Sequence, residues 1–367
     1  MKFIELHNAQ DLEQFYSFGN KIYSNNKFYR SDNDIMRLVI KGPSDFHNHA
    51  KIIPILVQID KKTVARFAFI HDKTLPEYIQ VSFFEAIKGI DNLTENITKL
   101  AKEKFPKTNK ICFGLNGHLN YGAGILLNNF DKIPVFGLPY NHSYYPDYFR
   151  NMTARKITSF SFLARKSEYF NKLKNRIKTD SNISIRKLDK KKLVRDSEIY
   201  TKLNNECFQE HPYWANRTNK EDLELFEPFR FMLQNENLIF AEYKGKPVGF
   251  LLWFPDFYQL LKRDRELKAA HHLDIDVLRF KFLNKINTFR FTEIAIHQDF
   301  RKKSVEMLLI NQMVDDVISA GYKYGTGGFI FDENKDSINL ALKYIERITG
   351  EKVSSDSKYA VFETKLR

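Results

Sequence analysis

The chain has 367 residues, of which 43% are apolar and 28% charged; it is long enough for two domains and has an ordinary globular composition. It holds no run of about 18 apolar residues that could cross a membrane, and its charged, polar opening, MKFIELHNAQDLEQF, does not read as a signal peptide, which sets the expectation of a cytoplasmic protein. The formal net charge of +13 raises the question of nucleic acid, but the lysines are scattered over the whole chain and accompany no groove-reading motif, so nucleic acid is not expected as a partner.

In chain order, Met1 to Glu13 read as a strand and the start of a helix, which Phe15, Phe18, Ile22 and Tyr23 continue at helical spacing. Lys51 to Ile59 and Thr63 to Ile70 predict a hairpin about Asp60-Lys61-Lys62. A strand follows at Tyr78 to Ile87. Leu93, Ile97, Leu100 and Ala101 then mark a helix stopped by Pro106, and Ile111 to Leu115 a short strand. After the loop GLNGHLNYGAG come a short helix around Tyr145 to Met152 and a strand near Thr158 to Ala164. Residues 166–180, KSEYFNKLKNRIKTD, read as a charged connector between two units, 1–165 and 181–367.

The second unit begins with a strand at Ile183 to Arg186 and a helix over Leu193 to Phe208. Leu238 to Tyr243 and Val248 to Phe254 predict a hairpin about Lys244-Gly245-Lys246-Pro247. IPILVQIDKKTVARFAFI in the first unit and NLIFAEYKGKPVGFLLWF in the second match in length, turn position and the Val-Ala or Val-Gly start of the second strand. The order of elements recurs too, and together these imply a degenerate internal duplication. Residues 255–289, basic at LLKRDRELKAAHH, are extra to the repeated unit and read as helices beside the hairpin. Tyr322 to Phe331 form a strand, Ile338, Ala341, Leu342, Ile345 and Ile348 mark a helix, and Lys358 to Thr364 a last strand.

The chain is organised around Phe291 to Ser319. A strand through His297, apolar on both faces except at Thr292 and Glu293, enters the turn Gln298-Asp299-Phe300-Arg301-Lys302-Lys303. A helix then carries Met307, Ile310, Val314, Val317 and Ile318, with Gly321 in the favoured place for a C-cap. A basic turn at a helix N-terminus is an anion cradle, because free amides and the helix dipole both favour a phosphate. The first unit has Lys88-Gly89-Ile90-Asp91 in the corresponding place, a frame without a cradle.

Arg301-x-x-Ser304-x-Glu306 resembles the acyl-coenzyme-A motif of the GNAT acetyltransferases, Arg/Gln-x-x-Gly-x-Gly/Ala, with both small positions filled by larger residues. Ser304 adds bulk and Glu306 negative charge, which Lys302 and Lys303 partly offset. FHNHA at 46–50, VSFFEAIKGID at 81–91, LNNFDKIPVFGLPYNHSYYPDYF at 127–149, GKPVGFLLWFPDFYQLLK at 245–262 and FDENKDS at 331–337 extend the likeness over most of the chain. The whole resembles a bacterial family of tandem GNAT-like proteins. That resemblance implies an α/β fold of two GNAT-like domains, each a mixed twisted sheet flanked by helices. It also implies acyl transfer in the second, from acetyl-CoA or another acyl-CoA to a small-molecule or peptide amine. The cofactor would lie along Ile294 and Ile296 and on Arg301, Lys302, Lys303, Ser304, Val305 and Glu306, with Asn334 (or Asn339) as the family's helix-start asparagine.

The chemistry requires a base for the amine and a proton donor for the departing thiolate. Glu293, in an otherwise apolar strand before the cradle, is the candidate base, since burial raises a carboxyl pKa toward neutrality. Against it stands a strand-edge glutamate facing water. Tyr344 and Tyr359 are candidate donors, each also readable as a core tyrosine. His211, Tyr213 and Trp214 form an aromatic loop on the expected acceptor side. Asn116, Asn120, Asn141, Tyr144 and Tyr145 either serve turns or line a groove between the units. No metal is expected: Cys112 and Cys207 make no ligand framework, adjacent His271 and His272 diverge on a helix, and His47 and His49 read as loop residues. A second reading, an acyl-CoA-binding protein without turnover, rests on Ser304 and Glu306.

Overall fold

The computed structural model describes residues 1–31, 33–174, 180–262, 266–283 and 285–366. The first half runs β1 (Lys2–Glu5), α1 (Ala9–Ile22), α2 (Asn33–Lys41), β2 (Ala50–Ile59), β3 (Lys62–Asp72), β4 (Tyr78–Ala86), α3 (Leu93–Lys104), β5 (Lys110–Phe113), β6 (Ile125–Leu126) and β7 (Thr153–Leu163). After α4 (Glu168–Lys174) the second half gives β8 (Ile183–Lys187), α5 (Leu193–Cys207), α6 (Asn219–Phe226), β9 (Leu238–Tyr243), β10 (Lys246–Pro255), α7 (Ile275–Leu283), β11 (Thr288–Ile296), α8 (Val305–Ser319), β12 (Tyr324–Phe331), α9 (Lys335–Thr349) and β13 (Ser355–Lys365).

The duplication is visible down to its turns. The β2–β3 hairpin turns through Asp60 (φ 48°) and Lys61 (φ 64°), and β9–β10 through Lys244 (φ 49°) and Gly245 (φ 76°). Two consecutive left-handed residues give a hairpin turn whose twist matches that of the strands. In each half the hairpin's second strand pairs antiparallel with a long strand, β4 or β11, whose register breaks part-way, between Ser82 and Glu85 in β4 and at Thr292 in β11. Each long strand then has a parallel neighbour over only a few residues: Tyr78–Val81 with Lys110–Phe113, and Thr288–Arg290 with Tyr324–Thr326. Beyond those pairs the strands splay apart.

Instead of two separate sheets, the described strands form one, in the order β1-β2-β3-β4-β5-β13-β7-β12-β11-β10-β9-β8, with β6 also beside β13. The final strand, expected to close the second unit, lies between β5 and β7 of the first. β7 in turn pairs with β12 over Ile157–Leu163. Each half thus takes a strand from the other, which leaves no open edge at the middle of the sheet.

Further departures from the expectations are local. The strand foreseen at 158–164 begins at Thr153, drawn out by β13 on one side and β12 on the other. The helix foreseen at 145–152 is 3-10 over Tyr145–Phe149. In the basic stretch, Lys262 and Glu266 to Ala269 are not helical, and His271 and His272 stand in a turn; Arg263, Asp264 and Arg265, like residues 175–179 of the connector, lie outside the described residues. The amphipathic helix α2 had no counterpart among the expected elements.

The splay of the first half is filled by the chain itself. Tyr144 donates to Ala86 O at 2.8 Å, Ala86 N donates to the Tyr145 hydroxyl at 3.1 Å, and Ile90 N donates to the Tyr148 hydroxyl at 3.2 Å. Phe149 completes the plug, its ring 5.5 Å from Phe84 and stacked on Phe362 at 4.8 Å. Tyr144 and Tyr145, foreseen as turn or groove residues, are part of this plug. Among the described residues no helix is long and apolar enough to cross a membrane, no cluster of His, Cys, Asp and Glu could hold a metal ion, and Cys112 and Cys207 are both free.

Candidate functional site

The splay of the second half is open. A cavity of about 550 Å³ occupies it, within the range that encloses small ligands. The break at Thr292 sets the faces of β11. Past it, Ile294 and Ile296 pack toward the α8 side, while Ala295 packs with the α5 core. Glu293 shares the Ala295 face. Although β11 lies in the interior of the sheet, Phe291 to Ile294 all keep accessible surface, because they line the cavity.

Glu293 sits deep in the protein, and burial raises its carboxyl pKa above the ordinary value, against the opposing effects of Arg217 and the Tyr200 hydroxyl. Tyr200, from α5, donates to Glu293 Oε2 at 2.9 Å. Asn120, from the first half, completes the group when its amide is turned so that both ends are satisfied: its nitrogen donates to Glu293 Oε1 at 3.2 Å and its oxygen accepts from Arg217 at 3.2 Å. Arg217 is buried and paired with buried Asp222 at 2.8 Å, which also accepts from Thr201 at 2.7 Å. The result is a carboxylate held in place by one donor from each half, Tyr200 and Asn120, with its pKa raised by burial in the direction that suits a base at neutral pH.

Arg290, on β11 ahead of the break, also lines the cavity. Its guanidinium donates to Phe136 O at 3.2 Å and makes no ion pair among the described residues. Burial lowers its pKa, and Tyr359 and Glu293 act against the shift.

At the other end of the splay lies the cradle. Lys302 (φ 64°) and Ser304 (φ 60°) both take the left-handed conformation. Ser304 therefore adopts the backbone shape that glycine takes most readily, at about 1–2 kcal/mol. Its side chain does not cap α8, so the first amides of the helix are open to an anion. Lys302 and Lys303 are exposed, the latter's ammonium 4.8 Å from the Phe300 ring. Arg301 turns back to Ile296 O at 3.3 Å. The acidic charge of Glu306 is engaged across the gap by Tyr344, which donates to it at 3.3 Å. Val305 is buried beneath the cradle.

The remaining candidates divide. Asn334 caps α9, accepting from Ser337 N at 3.1 Å, and lines the cavity, whereas Asn339 does not. Tyr344 lines it as well, its pKa raised to about 12 by burial and Glu306. His211 and Trp214 line it from the α5–α6 loop; burial lowers the His211 pKa, and Trp214 donates to Asn216 at 3.1 Å. Tyr213 and Tyr359 are corrections. Tyr213 is a core residue between the halves, donating to Glu363 on β13 at 2.7 Å, and does not reach the cavity. Tyr359, 2% exposed on β13, packs 5.3 Å from the Phe329 ring, also outside it. Asn116 and Asn120 line the cavity, while Asn141 serves β6, accepting from Leu126 N at 2.6 Å. Sequence reasoning missed Tyr200, Arg217 and Arg290. A signal existed for the first: the buried stripe of α5 is polar, with Asp196, Ser197, Thr201 and Asn204 around Tyr200.

No protein-family model and no curated protein matches the sequence. Solved structures do. A tandem GNAT protein from the clavulanic acid biosynthesis pathway aligns over 100% of this chain and 98% of its own, with TM-score 0.54 and 8% identity. A GCN5-related N-acetyltransferase from Sphaerobacter thermophilus aligns over 100% and 96%, with TM-score 0.51 and 8% identity. The GCN5-related glucosamine N-acetyltransferase region of a fungal multi-domain β-N-acetylglucosaminidase gives TM-score 0.54 and 11% identity over 99% of this chain and 38% of that one. At these identities the likeness is one of fold: the chain has the tandem GNAT fold foreseen from its motifs.

Proposed function

We propose that the protein is an N-acyltransferase that moves an acyl group from coenzyme A to an amine, with its chemistry confined to the second half. The observation that carries this reading is the asymmetry of the two splays. The first is plugged by Tyr144, Tyr145 and Tyr148; the second is open, with the half-buried Glu293 carboxylate on one side and an uncapped helix N-terminus at its end.

In this reading the amides of residues 301–306 take the diphosphate, Lys302 and Lys303 add charge, and Ile294 and Ile296 flank the pantetheine arm. An amine nitrogen entering from the α5 side attacks the thioester carbonyl. The amide C–N bond forms, the C–S bond breaks, and Glu293 takes the amine proton. The thiolate leaves toward the α8–α9 gap, where the Tyr344 hydroxyl is the available donor. Tyr200 and Asn120 orient Glu293, and His211 and Trp214 border the acceptor. The acceptor is a small-molecule or peptide amine. Residues 1–165 are non-catalytic but contribute Asn120.

The test is thermal melting and calorimetric titration with coenzyme A and acetyl-CoA, followed by an amine panel read by coenzyme A release. Arg301→Ala with Lys303→Ala should weaken binding more at low salt than at high salt, where ions already screen the charge neutralisation that carries part of the attraction. Unchanged affinity in that variant would move the cradle elsewhere. Binding without release on any amine would leave a binding protein.

A further inference from the structure

The cavity extends well past the place where a two-carbon acyl group would end. Along α8 it is lined from Glu306 to Ile318, about 18 Å at the rise of an α-helix. Along α9 it is lined from Asn334, at the helix start, to Thr349, at its last turn. The cradle occupies only the N-terminal end of this gap. Beyond it the walls are apolar: Met313, Val314 and Val317 from α8, Ala341 and Ile348 from α9, and Phe162 from β7.

Helix α9 packs on α4, β12 and β7 and leaves part of its apolar side along the cavity. Its stripe of Ile338, Ala341, Leu342, Ile345 and Ile348 is that of a core-facing helix, yet Ile345 is its one buried apolar residue. Of the rest, Ala341 and Ile348 line the gap, whereas Ile338 and Leu342 do not. At the floor, a Cβ on Gly327 of β12 would lie in ordinary contact with Phe162 and Phe291, at 3.5 Å, and all three residues line the cavity. At the far end Arg165, just past β7, donates to Thr349 O at 2.8 Å and ties that segment to α9. On the opposite face of the sheet the same cavity carries the polar groups of Glu293, Asn120 and Arg290 among apolar residues such as Leu119, Phe226 and Leu252, and those polar groups suit an acceptor.

We infer that the α8–α9 arm holds a medium- or long-chain acyl group, so that the donor is a fatty acyl-CoA and not acetyl-CoA. The inference rests on the coenzyme A reading above. It adds the class of acyl group: a linear hydrocarbon that leaves the thioester at Thr292–Ile294, passes over Gly327 and lies between α8 and α9.

The experiment is calorimetry on the full chain with coenzyme A, acetyl-CoA, octanoyl-CoA and palmitoyl-CoA. Affinity should rise by up to about fourfold per buried methylene until the arm is filled, so octanoyl-CoA should bind more than tenfold tighter than acetyl-CoA. Ala341→Phe and, separately, Gly327→Leu should lower the ratio of palmitoyl-CoA to acetyl-CoA affinity by at least tenfold. Acetyl-CoA binding as tightly as the longer thioesters would overturn this inference and leave the coenzyme A reading intact. A chain-length preference that neither variant alters would also overturn it, because the chain would then lie elsewhere. If none of the four ligands binds, the coenzyme A reading itself falls, and this one with it.

Discussion

Tyr200 and Glu293 stand 93 residues apart in the chain, and the phenol donates to the carboxylate at 2.9 Å. The bond joins α5 to β11, whose register breaks at Thr292 beside the open splay. It also counters part of the burial that raises the Glu293 pKa. Tyr200→Phe should therefore raise that pKa further and move the alkaline-going limb of the pH–rate profile to higher pH. An unshifted limb would show that the hydroxyl does not tune the base.

Glu293→Gln should keep coenzyme A binding and slow transfer by about 10²–10³-fold, the loss of a general base. The same carboxyl makes a statement about stability. Its pKa is higher in the folded chain than the ordinary 4.5, so the fold favours the protonated form; that contribution is full below 4.5 and lost as the pH rises through the raised value. Glu293→Gln should accordingly melt higher than the parent at neutral pH and lose the advantage in acid. Equal activity of the two proteins on a true acceptor would remove Glu293 from the mechanism.

Ser304→Gly tests the cradle. Relief of the left-handed conformation is worth about 1–2 kcal/mol, and the added freedom of the unfolded chain takes back about 0.5–1 kcal/mol. A small net stabilisation is expected by denaturant titration, with tighter binding of coenzyme A because the backbone becomes more accessible. Weaker binding would mean that the serine hydroxyl is itself a ligand.

His49 joins the halves. Its ring lies 2.8 Å from Asp72 and 3.3 Å from Glu221 of α6, and these two carboxylates raise its pKa from 6.5 to about 10. The stabilisation is complete below 6.5 and is lost as the pH rises toward about 10. The parent should lose melting temperature over that interval, and His49→Gln should flatten the slope. Parallel curves for the two would place the titration elsewhere.

Tyr213→Phe removes the bond to Glu363, which keeps its 3.0 Å bond from Tyr78. The loss should be about 1 kcal/mol, or about 1–2 °C in a chain of this length. Coenzyme A affinity should not change. A fall in affinity would return Tyr213 to the site.

The legible parts of this protein are those whose cause is local. The hairpin turns, the charged Glu293 in an apolar strand, the basic turn at 301–303 and the stripe of α9 all announce themselves within a few residues. Tyr344 and Tyr359 carry the same local signature, a tyrosine in an apolar pattern, and only the fold puts one in the cavity and the other between strands. Asn120, Tyr200 and Arg217 converge on one carboxylate from widely separated elements, so no spacing could have joined them. Only the polar buried stripe of α5 hinted at the network. The exchange of β7 and β13 was hidden for a similar reason: a strand's sequence shows which face is buried, not which edge it will join.

That exchange bears on how the molecule comes into being. β13 leaves the ribosome after every other strand described here, yet it belongs beside β5, made some 250 residues earlier. Until it arrives, β5 and β7 hold open edges that no neighbour in the nascent first half can cover. The first half therefore cannot finish folding during its own synthesis. The two halves become native together through pairings of very long sequence separation, which form slowly. In that interval the exposed edges are the surfaces through which nascent chains can join one another and aggregate.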